Sequence, residues 1–292
     1  MIPETLRNLI RFEHKGVLEG FQFSLSLYSL HPEKIITLVK KKIEDLLVTG
    51  NQRLNKDCFI LTLRSGDPLP AIFPGQFAEL RLDHSGDTFL RRPISFYDVD
   101  REHQEMRLLI REVGAGTRQL GMLGPGDTLN IIYPLGHPFT LIDGKEFLLA
   151  AGGVGIAPML LLGKTLKQAG KRPVFLFGAR SKEQMFDLAE FEDLGEVYIT
   201  TEDGSMGKKG MITDHPILEA GTFDGCYSCG PEPMMKAIAK IAARKEIFCE
   251  VSLENIMACG IGACLCCAQP TVHGMKMACV DGPVFNTKEL LW

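Results

Sequence analysis

A chain of 292 residues, 45% hydrophobic and 23% charged, is long enough for more than one core and has the composition of an ordinary globular protein. Its net charge of -4, with both signs mixed along the chain, leaves no broad basic field for nucleic acid. The longest apolar runs, "EFLLAAGGVGIAPMLLLG" and "GFQFSLSLYSL", are interrupted short of the ~20 residues that a spanning helix needs. No signal-peptide core is apparent either, so the expected compartment is the reducing cytoplasm, where clustered cysteines serve as metal ligands or redox groups.

In chain order, "GFQFSLSLYSL" alternates like a strand, and "HPEKIITLVKKKIEDLL" spaces its apolar residues along one face of a helix. Residues 1–39 form an N-terminal extension to which the sequence assigns no role. Over residues 40–142, short runs such as "CFILTL", "QFAELRL", "RLLIREV" and "TLNIIYPLG" follow one another between glycine and proline turns, which predicts a small β-barrel. Over 143–245 the texture changes: buried strands "EFLLAAGG", "PVFLFGAR", "EVYITTED" and "GCYSCGP" alternate with helical "PMLLLGKTLKQAG", "DLAEFEDLG" and "PMMKAIAKIAARK". That alternation predicts a parallel sheet covered on both faces. The remaining segment, 246–292, is rich in cysteine and glycine and too short for a substantial core, so it must be held by something other than hydrophobic burial. The fold expected is multidomain, β plus α/β.

Two glycine-bearing strand ends stand out in the parallel-sheet half. "AAGGVGIAPM" leaves a strand and enters a helix: Gly152, Gly153 and Gly155, with Val154 between them, permit a tight turn whose N–H groups approach a ligand, and Pro158 suits the first helical turn. A pyrophosphate would sit at the positive helix end, although such a loop by itself is as often only a turn. "YSCGPEPMM" puts Cys229, Gly230 and Pro231 at a second strand end, where open α/β sheets bind ligands. In the barrel half, "FLRRPISFYD" offers the Arg91 and Arg92 guanidinium groups beside the rigid backbone of Pro93, Ile94 and Ser95. Taken alone, an arginine pair at a strand end is more often a solvated one. "LIREVGAGTRQL" adds Leu109, Ile110, Arg111, Gly116 and Thr117 at a helix start, a second anion cradle.

In this order and spacing, "RRPIS", "GAGT", "LLAAGGVGIAP", "FGAR" and "YSCGPEPMM" resemble the ferredoxin-reductase-like flavoproteins, an FAD-binding β-barrel followed by a Rossmann-like nicotinamide-nucleotide domain. The tail "LENIMACGIGACLCCAQP…ACVDGPVF" is similar to that of the electron-transfer subunits of type B dihydroorotate dehydrogenases. The resemblance covers residues from about Lys40 to the end and implies that Arg92 to Ser95, Leu109 to Arg111, Gly116 and Thr117 contact FAD. It implies that Gly152 to Gly155 and Cys229 to Pro231 receive NAD(H), with the nicotinamide stacked on the flavin. Arg180 and Ser181 in "FGARSKEQ" would suit the 2′-phosphate of NADP, but the resemblance implies NAD.

Five cysteines crowd the tail. Cys259-x4-Cys264-x2-Cys267 with a later Cys279 has the plant-type [2Fe–2S] ligand spacing, and Gly260 and Gly262 let the loop wrap a cluster. Zinc is the competing reading, although zinc knuckles favour paired C-x2-4-C units. Cys266 is then surplus, Cys58 and Cys249 read as core, and Cys226, in a C-x2-C with Cys229, reads as incidental. The histidines, such as His137 in "PLGHPF" and His273 in "TVHGM", are scattered along the sequence and none is assigned to catalysis, and no segment offers a base with an anion clamp for an organic acid.

A nicotinamide exchanges two electrons and a [2Fe–2S] cluster one, with a flavin able to mediate. The expected function is electron transfer through the cluster and FAD to NAD+, in the oxidation of dihydroorotate to orotate during pyrimidine biosynthesis. Dihydroorotate chemistry is then expected on a separate FMN-containing catalytic subunit, and the resemblance implies a heterotetramer of two subunits of each kind. Two alternatives stand beside it: a related flavin/iron–sulfur subunit of a sulfhydrogenase or ferredoxin:NADP oxidoreductase, and a zinc-stabilised interaction module.

Overall fold

The computed structural model describes residues 40–82 and 88–292. The strand expected in "GFQFSLSLYSL" and the first part of the following helix lie outside those residues.

The helix expected through residue 47 is overturned where it can be seen, because β1 (Lys42–Arg53) is a strand. It pairs antiparallel with both of its neighbours, so alternation decides which residues face inward. Leu46 and Val48 are fully buried in the barrel, while Ile43 and Leu47 face outward. With β2 (Cys58–Arg64), β3 (Phe77–Leu80), β4 (Arg92–Asp100), β5 (Glu105–Arg111) and β6 (Thr128–Leu135), β1 closes a barrel in the order β1-β2-β5-β4-β3-β6. A short helix, α1 (Ala115–Leu120), joins β5 to β6.

The second half is built on β7 (Glu146–Gly152), α2 (Ala157–Gln168), β8 (Arg172–Ala179), α3 (Ala189–Glu192), β9 (Glu196–Thr201), β10 (Lys208–Lys209), α4 (Ile217–Ala220), β11 (Gly225–Cys229), α5 (Glu232–Arg244) and β12 (Phe248–Ser252). Of "DLAEFEDLG", only the single turn α3 is helical. Pro158 falls in the first turn of α2, where its missing N–H has no partner to lose. The sheet runs β10-β9-β8-β7-β11-β12 and is parallel throughout, with β15 (Val284–Asn286) added antiparallel at the β12 edge. After β7 and β8 the chain returns to the other side of β7 to form β11. The carboxyl ends of β7 and β11 therefore flank the point where strand order reverses, where such sheets bind ligands.

The cysteine-rich tail is less isolated than expected. β12 and β15 belong to the large sheet, and only β13 (Ala268–Thr271) and β14 (Gly274–Met277) form a small hairpin apart from it. Apolar burial does hold the tail: Met257, Cys267, Ala278, Cys279 and Phe285 pack with Phe77 and Leu135 of the barrel and Met235 of α5. The segment shares a core with its neighbours because it has too few apolar residues to make its own.

Barrel and sheet also pack on each other. Ile60, Tyr97 and Leu109 share a core with Phe147, Met159 and Phe177. At its rim Asp98 accepts from Arg107 at 2.5 Å and from Lys164 of α2 at 2.8 Å, and Arg107 also reaches Glu190 of α3 at 2.5 Å. Arg107 lies over the Tyr97 ring at 5.3 Å, so the junction is ordered by charge and by a fixed aromatic plate. Among the described residues no helix is long and apolar enough to cross a membrane.

Candidate functional site: a cleft and a thiol loop

The barrel, the sheet and the tail meet around a cavity of about 290 Å³. Its barrel wall holds Arg92, Pro93, Ile94 and Ser95 from β4, Leu109 and Arg111 from β5, and Thr117 from α1. Its sheet wall holds Val154, Pro158 and Cys229. Two further hollows join it. One, of about 320 Å³, shares Arg111 and Val154 and adds Gly153, Ser181 and Gln184. The other, of about 350 Å³, shares Leu253, Glu254 and Asn255 and adds Gly230, Pro231 and Trp292.

Not every residue expected here faces the cleft. Ile110 is turned into the barrel core. Gly116 contributes by its lack of a side chain: a Cβ there would lie 2.8 Å from Arg92 Nε, so the guanidinium packs closely on α1. The two arginines divide. Arg92 donates to the Leu90 carbonyl at 2.7 Å and stays at the cleft, whereas Arg91 donates to the Glu79 and Asn130 carbonyls and to Asn130 Oδ1, on the barrel flank. Gly152 lies against Met234, and a side chain on Gly155 would run into the Cys229 carbonyl, so the glycine turn after β7 and the end of β11 are pressed together. Gly153 has φ +56 and open space on its Cα, leaving its backbone free to meet a ligand.

Cys229 lines the cavity as a neutral thiol, its ionisation pushed well up, chiefly by burial. Cys226 lies in register with Cys249 of β12, and its thiol is held well above the usual range by the hydrogen bond to Cys249 and by burial. Cys226 and Cys229 are three residues apart on one strand and face opposite sides of the sheet, which rules out a redox pair between them. Cys58 and Cys249 are buried, as their apolar surroundings suggested.

Sequence reasoning missed the third wall, Ser252 to Asn255 and Met257. These residues follow β12, the parallel neighbour of β11, so a third strand end at the same edge was the available signal. Glu254 opens onto the cleft but is closely surrounded, and desolvation raises its carboxyl against the pull of Arg111.

The thiols gather at the opposite end of that wall. Positive φ at Gly260, Gly262 and Leu265 coils the loop, so that the Cys264 amide donates to Cys259 Sγ at 3.4 Å and the Gly262 amide to Cys279 Sγ at 3.1 Å. The Cys279 amide donates to Cys267 Sγ at 3.4 Å. Desolvation raises the Cys259 thiol, but the amides of Ile261, Cys264 and Ala263 outweigh it and bring the group down to about 6. The Cys279 thiol is raised by burial and by sharing a site with Cys267. Cys267 and Cys279 are buried, Cys259 is half-buried, and Cys264 and Cys266 are exposed. Among the described residues, no three of the metal-binding side chains converge on one ion-sized point. Backbone amides tie Cys264 to the Cys259 sulfur and Cys279 to the Cys267 sulfur, and a side-chain hydrogen bond joins the same partners in each case, a grouping that suits a cluster dividing four thiolates between two bridged irons. Amides turned toward sulfur are the donors such a cluster needs.

Comparison with known proteins agrees with this division of labour. Residues 254–291 match the family described as the iron–sulfur cluster binding domain of dihydroorotate dehydrogenase B, and residues 149–240 match the oxidoreductase NAD-binding domain. A relative from Caldanaerobacter subterraneus, a dihydroorotate dehydrogenase B (NAD(+)) electron transfer subunit, is 41% identical over 84% of this chain and 97% of its own. One of the same name from Geobacillus is 37% identical over 86% of this chain and 99% of its own. Among solved structures, that of an NADH-dependent reduced ferredoxin-NADP oxidoreductase aligns with a TM-score of 0.77 at 32% identity, covering 85% of this chain and 90% of the other.

Proposed function

The chain belongs to the family of dihydroorotate dehydrogenase B (NAD(+)) electron transfer subunits, and on that premise we propose that it carries electrons between NAD(H) in the cleft and an FMN-containing catalytic subunit docked at the thiol loop. It is an NAD-linked oxidoreductase subunit whose redox groups are FAD and a [2Fe–2S] cluster. Bound here, FAD would supply the chemistry that links the two-electron hydride exchange of NAD(H) to the one-electron exchange of a [2Fe–2S] cluster. The net reaction served is dihydroorotate plus NAD+ giving orotate, NADH and a proton, with two electrons and one proton delivered to NAD+ as hydride.

What the chain itself contributes follows from its walls. Arg92, packed against Gly116, holds an anionic phosphate at a fixed place, and Pro93 to Ser95 present an extended backbone edge to a planar ring. Leu109, Arg111 and Thr117 complete the FAD side. The Gly152 to Gly155 turn at the N-terminus of α2 receives the pyrophosphate of NAD(H), and Cys229 to Pro231 receive the nicotinamide end. Cys259, Cys264, Cys267 and Cys279 hold the cluster. Around that loop Ile256, Ile261, Leu265, Val272 and Met275 are exposed, an apolar rim suited to a partner surface and to exclusion of water between redox centres. A heterotetramer of two subunits of each kind is the assembly proposed. Residues 40–142, 143–245 and 246–292 are the proposed FAD, NAD and cluster-bearing segments.

The observation that carries the reading is the single wall, Ser252 to Met257, that runs from the cleft to the first cluster cysteine. Anaerobic purification tests it: about two irons, two sulfides and one FAD per chain are expected, and NADH should bleach the absorbance of both flavin and cluster. A colourless protein containing zinc would overturn it in favour of an interaction module.

A further inference from the structure

Glu79 takes no part in the cleft, yet it is among the least comfortable residues of the molecule. Its side chain is 0% exposed, and among the described residues neither carboxyl oxygen has a hydrogen-bond partner. A buried carboxyl left in this way is costly, and an apolar residue of the same length would fill the space without that cost.

Its position links the two proposed cofactor sites. The β3–β4 register sets Glu79 opposite Pro93, in the strand that lines the cleft. Ala78 and Leu80 point into the barrel, so Phe77 and Glu79 point the other way, toward the tail. There Glu79 meets the thiol loop. A Cβ built on Gly260 would lie 2.7 Å from Glu79 Cγ and 3.0 Å from Oε1, so the carboxyl occupies the space that any side chain at 260 would take. The charged and titratable groups acting on it are Arg91 and Arg92 from the barrel and Cys259 from the loop.

We propose that Glu79 sets the reduction potential of the iron–sulfur cluster, as a buried negative charge behind the ligand loop on the side of the flavin strand. Reduction adds one negative charge to a centre already held by four thiolates. A fixed carboxylate beside it, in a medium that screens poorly, opposes that addition and lowers the potential. A lower potential makes the reduced cluster a stronger donor, the direction needed for electrons bound for NAD+. Glu79 acts through the loop and is a positioning residue for charge; it ligates nothing.

The inference rests on the cluster reading above, and the test separates the two. Full-length protein is purified anaerobically as wild type, Glu79→Gln and Glu79→Asp, and the cluster and flavin midpoints are measured by redox titration followed by EPR and visible absorbance. The titration is run at pH 6 and again at pH 9, because burial raises this carboxyl and the shift is expected only where it is ionised. Glu79→Gln should raise the cluster midpoint by about 59 mV or more, a tenfold change in a one-electron equilibrium constant. Glu79→Asp, which keeps the charge, should stay near wild type, and the flavin midpoint should not move in either. Should Glu79→Gln fail to load iron, Glu79→Met, apolar and of similar length, should give the same rise. An unmoved cluster midpoint in whichever variant loads overturns the proposal, as does an equal shift of cluster and flavin. A wild-type protein with no cluster signal refutes the cluster reading itself.

Discussion

Replacing Cys267 by serine is expected to strip the cluster, lowering iron from about two per chain to a small fraction of that, while Cys266→Ser leaves iron content and visible spectrum unchanged. The two residues are adjacent and chemically identical, so the contrast isolates geometry. Cys267 is 2% exposed, and its sulfur accepts the Cys279 amide. Cys266 is exposed, one step after the left-handed turn at Leu265. Serine at 267 would place a poor iron ligand in a dry site shared with Cys279, whereas serine at 266 merely exchanges one small solvated group for another. Retention of iron by Cys267→Ser and its loss from Cys266→Ser would shift the ligand frame by one residue.

Gly155→Ala should have the second large effect, on the nicotinamide side alone. A methyl group at 155 meets the Cys229 carbonyl, which is backbone and has no rotamer to turn aside. The turn after β7 must then move away from the end of β11, opening the seam proposed to hold the dinucleotide. Overpacking of this kind typically costs 1–3 kcal/mol, and a comparable loss of transition-state binding is about a 100-fold fall in NADH kcat/KM. FAD and iron content should be retained, because the added methyl meets Cys229 and Gly230 first, and neither Arg92 nor a cysteine of the thiol loop. NADH oxidation within twofold of wild type would mean that the dinucleotide binds elsewhere.

Local pattern carried much of the architecture into the sequence. Alternating runs marked the barrel strands, and glycine at the ends of "AAGG" and "YSCG" marked the switch point of the sheet, because strand period and turn chemistry are local properties. "KKKIEDLL" misled because Ile43, Leu46 and Leu47 fit a helical face as well as a strand, and only pairing with β2 and β6 decides between them. The tail misled for a related reason. Its strands β12 and β15 are short, and the apolar partners of Met257 and Phe285 come from Phe77, Leu135 and Met235, far away in the chain. Glu79 was invisible as a special residue: within "QFAELRL" it reads as an ordinary outward-facing carboxylate, and it is the tertiary packing of the tail, with Gly260 against its side chain, that covers it.

The electron path as a whole is tested most directly by reconstitution. Anaerobic protein carrying FAD and its cluster is mixed with an FMN-containing subunit that oxidises dihydroorotate, and NADH formation from NAD+ is followed against orotate. The proposed function predicts one NADH for each orotate in the mixture, with none from either protein alone, and loss of that coupling in the Cys267→Ser variant. Orotate formation without NADH, by components that each retain their cofactors, would contradict it and direct the search to ferredoxin or another redox partner.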